Sequence, residues 1–447
     1  MSESLRVPPS TTVIGLKTVG IGCIMLLPLL LLHARGVGEA VIAIADLCFL
    51  GWCALEADWR WLRTPWVWVA GAWWLWLVVC SLPLPWFHLG EGSLHSTVQA
   101  LAVVRFLLLA AAAEHLFLRP EPVRTWLFVL SVLAVLWIAL NSLIQMITGR
   151  NIIGWPRGPD GELTGPFGTP RAGPALSRLL LPALLPPVAE LLDTRGLIQK
   201  VAAYVLLFIG FATMILIGQR MPLVLTLFGL VIVALLMRQL RPVVLAVALA
   251  GAVLLAASPV VAPQAYHRLV QSFSSQLEHF STSSYGMMYA RAWEIGRQNP
   301  ISGLGYDGFG TGCAQPRYFR PTFDGSIPDG GGAAFCWHHP HNYYFEALVD
   351  GGFVGLGLFC AMVLAWMITL GRGLWRNPVP IRVALFATAA FEFWPIQSST
   401  SLVSMPIGGW LFLMLGWGLA EARWPRQHPM VDMVDPSPDP PMPARPW

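Results

Sequence analysis

Apolar stretches long enough to cross a bilayer recur along most of this chain, and they restrict its fold more than any motif does. They lie at residues 12–32, 37–55, 65–82, 97–118, 125–147, 174–192, 200–217, 221–237, 242–262, 343–370, 379–395 and 402–420. A helix of roughly 17–25 apolar residues crosses the hydrocarbon layer, and a helix is favoured there because it satisfies its own backbone within one segment. Residues 200–237 are too long for one crossing, and the polar run Gly218-Gln219-Arg220-Met221-Pro222 divides them. The pattern predicts an all-α polytopic integral membrane protein of about 12 transmembrane helices. Composition agrees, since 55% of the 447 residues are hydrophobic, 12% are charged and the mean hydropathy is +0.61; soluble domains carry about 25% charged residues. The net charge of +4 is spread over the loops, so no basic stripe marks a nucleic-acid partner. The polar start MSESLRVPPSTT, leading into a segment long enough to span, does not read as a signal peptide.

Basic residues set the orientation, because they accumulate in cytoplasmic connections. With the N-terminus inside, those connections hold Arg60, Arg63, Arg119, Arg124, Arg195, Lys200, Arg238, Arg241, Arg372, Arg376, Arg382, Arg423 and Arg426. The loops near 83–96 and 396–401 on the other side hold no Lys or Arg. Both termini are therefore expected in the cytoplasm. The chain divides into nine helices with short loops (1–262), one large external loop (263–342), three more helices (343–424) and a disordered tail (425–447) with its DPSPDPPMPARP run.

The external loop is too long for a plain connector, and such loops are usually functional. It opens with the helical patterns YHRLVQSFSSQLEHF and YGMMYARAWEIGRQNP, the second ended by Asn299-Pro300. Gly303, Gly305 and Gly308 match G-x-G-x-x-G formally, but a dinucleotide site needs a βαβ unit around them. A compact turn is expected there instead. Five of the seven cysteines lie in spans, whereas Cys313 and Cys336 share the external loop. That oxidising side makes a Cys313–Cys336 disulfide plausible.

Three histidines, His338, His339 and His341, stand just before the span at 343–370. With Cys336 they have the residue types of a zinc site, but no second donor cluster has matching spacing, and no metal is expected. A general base is the better reading. Asn342 suits the N-cap of the following helix, and the positive end of a helix dipole disfavours imidazolium nearby, leaving a neutral proton acceptor. Interfacial polar residues without chemistry are the remaining reading.

The basic residues left outside are all arginine: Arg35, Arg150, Arg157, Arg171, Arg220, Arg268, Arg291, Arg297, Arg317 and Arg320. Most read as solvated loop charges. Arg220 is different, because it lies between two apolar segments, where an unpaired guanidinium is costly. Arginine suits bidentate phosphate binding. Arg220, Arg291 and a histidine on one face therefore point to an anionic, membrane-embedded substrate such as a lipid pyrophosphate.

Several motifs together resemble a known family. They are Arg291-Ala-Trp293, Asn299-Pro300-Ile-Ser-Gly303-Leu-Gly305, Phe309, His339-Pro-His341-Asn342-Tyr-Tyr and Asp350-Gly351-Gly352-Phe-Val-Gly355, with Gly165-Pro166-Phe167 upstream. They resemble the domain shared by O-antigen ligases, O-antigen polymerases and related bacterial O-oligosaccharyltransferases, over roughly residues 200–360. The resemblance implies a GT-C-like fold in the bacterial inner membrane, with the active site on the periplasmic side and no metal or nucleotide cofactor. The donor would be undecaprenyl-pyrophosphate-linked O-antigen and the acceptor a sugar hydroxyl of lipid A–core. It also implies roles for a loop histidine, with His339 and His341 both open, and for arginines at Arg220 and Arg291. Arg171, Arg157, His338 and Asn342 are further candidate substrate contacts. The sequence departs from the pattern at Gln219, where a small residue is common. A polymerase, a protein O-oligosaccharyltransferase and a lipid-linked glycan transporter are the alternatives.

Overall fold

The computed structural model describes residues 10–84, 92–320, 332–397 and 400–426. Every apolar segment named above holds a helix: α1 (Thr11–His33), α2 (Arg35–Leu55), α3 (Pro65–Ser81), α4 (Leu94–Phe117), α5 (Glu121–Thr148), α6 (Ala172–Asp193), α7 (Leu197–Ile217), α8 (Arg220–Leu236), α9 (Arg241–Val261), α11 (Tyr343–Gly371), α12 (Pro380–Glu392) and α13 (Ile407–Arg423). Between α9 and α11, the longest regular element of the loop is α10 (Ser284–Gln298). No strand occurs among the described residues, only an isolated bridge between Arg150 and Pro156. Eight of these helices are long and apolar enough to cross a membrane, with α3 and α8 apolar but shorter. The chain is thus a polytopic membrane protein, and a count of twelve would need α3, α8, α12 and α13 as well. The expected disordered tail beyond Arg426 and part of the loop near 83–96 lie outside the described residues. Arg426 itself is ion-paired with Glu421 at 2.5 Å, so the ordered chain runs past the expected boundary at 425.

Large apolar side chains such as Leu47, Trp68, Leu136, Leu249 and Val253 are exposed on the outer helix faces. In water such a belt would drive association; in lipid it simply meets its solvent. Two helices are enclosed instead. Every residue of α13 from Gly408 to Glu421 is buried, and α6, with Pro182, Pro186 and Pro187 inside it, is buried along most of its length. Proline inside a spanning helix is tolerated where neighbouring helices re-satisfy the freed backbone. Charged groups in this interior include a joined pair as well as Asp46 of α2, whose carboxylate oxygens are buried without a hydrogen-bond partner among the described residues. Arg178 of α6 bonds Glu392 of α12, both almost fully buried.

At one end of the bundle the connections expected in the cytoplasm converge on two carboxylates. Glu114 accepts from Trp66 Nε1 at 2.8 Å and Arg423 at 2.7 Å, while Glu421 holds Arg124 at 3.3 Å and Arg426.

The other end is organised by a break in α11. Gly352 has φ 65° and ψ −165°, which interrupts the helix. The motif loop fills the gap. Leu304 N donates to Val349 O at 2.8 Å, Gly305 N to Asp350 O at 3.0 Å, and Phe353 N to Pro300 O at 2.7 Å. Trp76 Nε1 of α3 reaches Gly351 O at 2.8 Å. Val349 O, Asp350 O, Gly351 O and Phe353 N beside the break therefore find partners outside the helix, as membrane depth requires. A Cβ at Gly352 would sit 2.4 Å from Ile301 O, and one at Gly303 (φ 59°) 2.2 Å from Val349 O. The glycine run is thus a docking turn, as its sequence context predicted. Around it the loop builds a small core of its own from Met288, Ile295, Leu304, Phe309, Tyr318 and Phe335, with Cys313 and Cys336 joined in a disulfide.

Candidate active site

The histidine turn is fixed from both sides. On its N-terminal side the disulfide ties Cys336 to Cys313, which also removes the one soft ligand a zinc site would use. On its C-terminal side Asn342 caps α11, its Oδ1 accepting from Tyr344 N at 2.9 Å and Phe345 N at 3.2 Å. The Asn342 Nδ2 donates to Pro395 O at 2.8 Å and Gln397 O at 3.3 Å. The amide bonds within the chain, and Asn342 thereby positions the turn. His341 adopts φ 56°, a left-handed backbone that costs a non-glycine residue of order 1–3 kcal/mol and tends to occur at functional sites.

His338 is exposed, His339 is half-buried and Pro340 is buried. The His339 and His341 rings lie edge to face with centroids 4.6 Å apart. His339 Nε2 is buried without a hydrogen-bond partner. Burial, then the neighbouring His341 and His338, pushes the His339 imidazole down to about 4. Burial and crowding, rather than the helix dipole, favour its neutral form.

His341 also packs edge-on to Tyr285 at 5.8 Å, and Tyr285 lies within electrostatic reach of Arg220. Arg220 and the histidines are thus brought to one region through Tyr285. The Arg220 guanidinium bonds Gln276 Oε1 and, at 3.4 Å, Ser272 O. Among the described residues its partners are amide and carbonyl oxygens, not carboxylates. Arg268 beside it is different, being ion-paired with Glu162 at 2.8 Å and Asp160 at 3.0 Å.

The other predicted arginines are placed differently. Arg291 is only 4% exposed. Its guanidinium donates to Cys313 O and to Gly332 O at 2.7 Å and lies over the rings of Phe319 and Phe335. Burial pushes it down to about 10. It is the hub of the loop core, and its donors are turned to backbone carbonyls rather than to the histidines. Arg157 bonds Met146 O at 2.7 Å and the Gln264 side chain. Arg171, just before α6, is shifted downward by burial and then by Arg35 nearby. Its turn is stapled to the start of α8 by Gln219, whose Nε2 donates to Pro170 O at 3.0 Å and whose Oε1 accepts from Gly173 N at 3.1 Å. Gln219 therefore sets the spacing between Arg171 and Arg220.

On its other flank His339 opens onto a cavity of about 490 Å³. His338 and Arg35 line it too, together with Glu39, His95, Gln99, Arg105, Asp307, Glu346 and Asp350. Most of these carried no role in the sequence reading. Glu346 and Asp350 are four apart on α11, which puts both on one helix face; carboxyls inside an apolar segment were the available signal. Asp350 Oδ1 accepts from Gly308 N at 3.0 Å and Glu346 Oε2 from Leu402 N at 3.2 Å, so each also braces a wall. Asp307 has φ 60°. Burial raises its carboxyl, partly offset by His338 and His95.

Residues 205–360 match the family model described as O-antigen ligase. The chain carries an O-antigen ligase family domain. That O-antigen ligase segment contains Arg220, Arg291, the disulfide, all three histidines, Glu346, Asp350 and the broken part of α11. The opposite cavity wall, with Arg35, Glu39, His95, Gln99 and Arg105, lies outside it. No curated protein matches the chain significantly.

Proposed function

We propose that this protein is an O-antigen ligase of the bacterial inner membrane, a GT-C-like enzyme with about twelve spans, both termini in the cytoplasm and its cavity end facing the periplasm. Its donor is O-antigen on undecaprenyl pyrophosphate and its acceptor a sugar hydroxyl of lipid A–core. The carrying observation is His339, a neutral imidazole with an unpartnered buried Nε2, placed between a polar cavity and the Tyr285–Arg220 region. The acceptor oxygen attacks the anomeric carbon as the bond from that carbon to the pyrophosphate oxygen breaks. The hydroxyl proton passes to His339, or to His341 beside it, and undecaprenyl pyrophosphate leaves. Arg220 compensates charge on the leaving group, a charge-assisted contact worth about 1.5–3 kcal/mol and more where donors are preorganised for the transition state. Arg291 enters the scheme through the loop that it holds. General-base help of this kind is worth about 10²–10⁴-fold. Direct displacement inverts the anomeric configuration.

The test is a gene deletion followed by lipopolysaccharide electrophoresis, complemented with wild type or His339→Ala. A ligase deletion leaves a bare core band while lipid-linked polymer accumulates, and His339→Ala fails to restore the ladder. A single-repeat band would instead identify a polymerase, an unchanged ladder a protein-directed transferase, and full rescue by His339→Ala a transporter.

A further inference from the structure

We propose that the cavity flanked by His339 is the subsite of the acceptor sugar, separate from the arginine side that takes the pyrophosphate. The inference rests on the transfer reaction above and adds where its second substrate sits. Arg220, Tyr285 and His341 are not among the cavity walls, whereas His338 and His339 are. His339 lines the cavity, where it can take the proton of an acceptor hydroxyl, and packs on His341, which packs in turn on Tyr285 toward Arg220.

Charge separates the two ligands. The cavity sets four carboxyl groups, Glu39, Asp307, Glu346 and Asp350, against two guanidiniums, Arg35 and Arg105. A pyrophosphate would meet repulsion here, whereas in the arginine region Asp160 and Glu162 are already ion-paired with Arg268 and Arg220 bonds only neutral oxygens. A neutral, many-hydroxyl ring fits the mixture, because carboxylates accept from sugar hydroxyls while Arg and Gln donate to them. About 490 Å³ also falls within the usual range of small-ligand sites. The walls divide in the same way. The histidine and α11 wall belongs to the family-matched segment and the Glu39–Gln99–Arg105 wall does not. A common reaction centre facing a chain-specific wall is the arrangement that sets acceptor choice.

The experiment uses the full-length protein in detergent and, as probe, core oligosaccharide freed of lipid A by mild acid. Binding is measured for wild type, Asp307→Asn on the loop wall, Gln99→Ala on the α4 wall, and Arg220→Ala. Losing one charged or polar contact predicts about tenfold weaker binding in each cavity variant, while Arg220→Ala binds as wild type does. In transfer assays the same two cavity variants raise KM for the acceptor and leave KM for the lipid-linked donor unchanged. Wild type that binds no oligosaccharide overturns the proposal, as do cavity variants that bind as wild type does. The two readings fail separately. Transfer by wild type with binding untouched by the cavity variants removes the subsite alone. Cavity-dependent binding without any transfer removes the ligase reading alone.

Discussion

His339 is held neutral under conditions where an ordinary imidazole, at about 6.5, would be taking up protons. Because its folded value is about 4, the acid limb of kcat/KM should stay flat down to about pH 5 and fall only below that. An acid limb near 6.5 would contradict His339 as the base. The same depression has a stability sign. Below about 6.5 the unfolded chain binds a proton that the folded chain does not, so this residue makes stability decline as pH falls from there toward 4. Below 4 both states are protonated and the decline from this group ends. Two neighbours act by placement. Asn342→Ala removes a helix cap worth about 1 kcal/mol, yet its larger effect should be on kcat, since the histidine turn hangs on that amide. Gln219→Ala should raise donor KM several-fold with little change in acceptor KM, because the Arg171 turn loses its staple to Arg220.

The Arg178–Glu392 pair joins α6 to α12 inside the bundle. Arg178→Leu leaves a buried carboxylate without its partner and should cost about 3–5 kcal/mol, whereas Arg178→Leu with Glu392→Leu should recover much of it; thermal denaturation in detergent reads both. Gly352→Ala adds a Cβ against Ile301 O in a left-handed backbone, and should lower Tm markedly or prevent accumulation. Helices of this kind were legible in the sequence because apolar length alone marks a crossing, and within the expected divide at Gly218–Pro222 the break falls at Gly218–Gln219, with Arg220 already the first residue of α8. The break at Gly352 was not legible. Its glycines were visible as a motif, but their partners, Pro300 to Gly305, lie some distance away along the chain. The site divides in the same way. A histidine cluster ahead of a span announces itself, whereas Arg291 gives no local sign that its donors turn to Cys313 O and Gly332 O. Glu346 and Asp350 join a cavity only when α2, α4 and the 307 turn are brought beside them.

Seen whole, the bundle has two unlike ends. One is closed by the Glu114 and Glu421 ion pairs, and the other holds the cavity and the histidines. Single cysteines in an otherwise cysteine-depleted background would test the orientation in intact cells. Ser404→Cys and His95→Cys at the cavity should react with an impermeant maleimide added outside, while Arg63→Cys, exposed at the other end, should react only after the membrane is opened. The reverse pattern would invert the topology. The docked break in α11 also bears on biogenesis. Without residues 300–305 docked beside them, Val349 O, Asp350 O and Phe353 N would lack the partners they have in the folded protein. On the proposed topology, those partners become available only once the loop has crossed the membrane. The break at Gly352 thus ties the completion of α11 to the folding of the loop that precedes it.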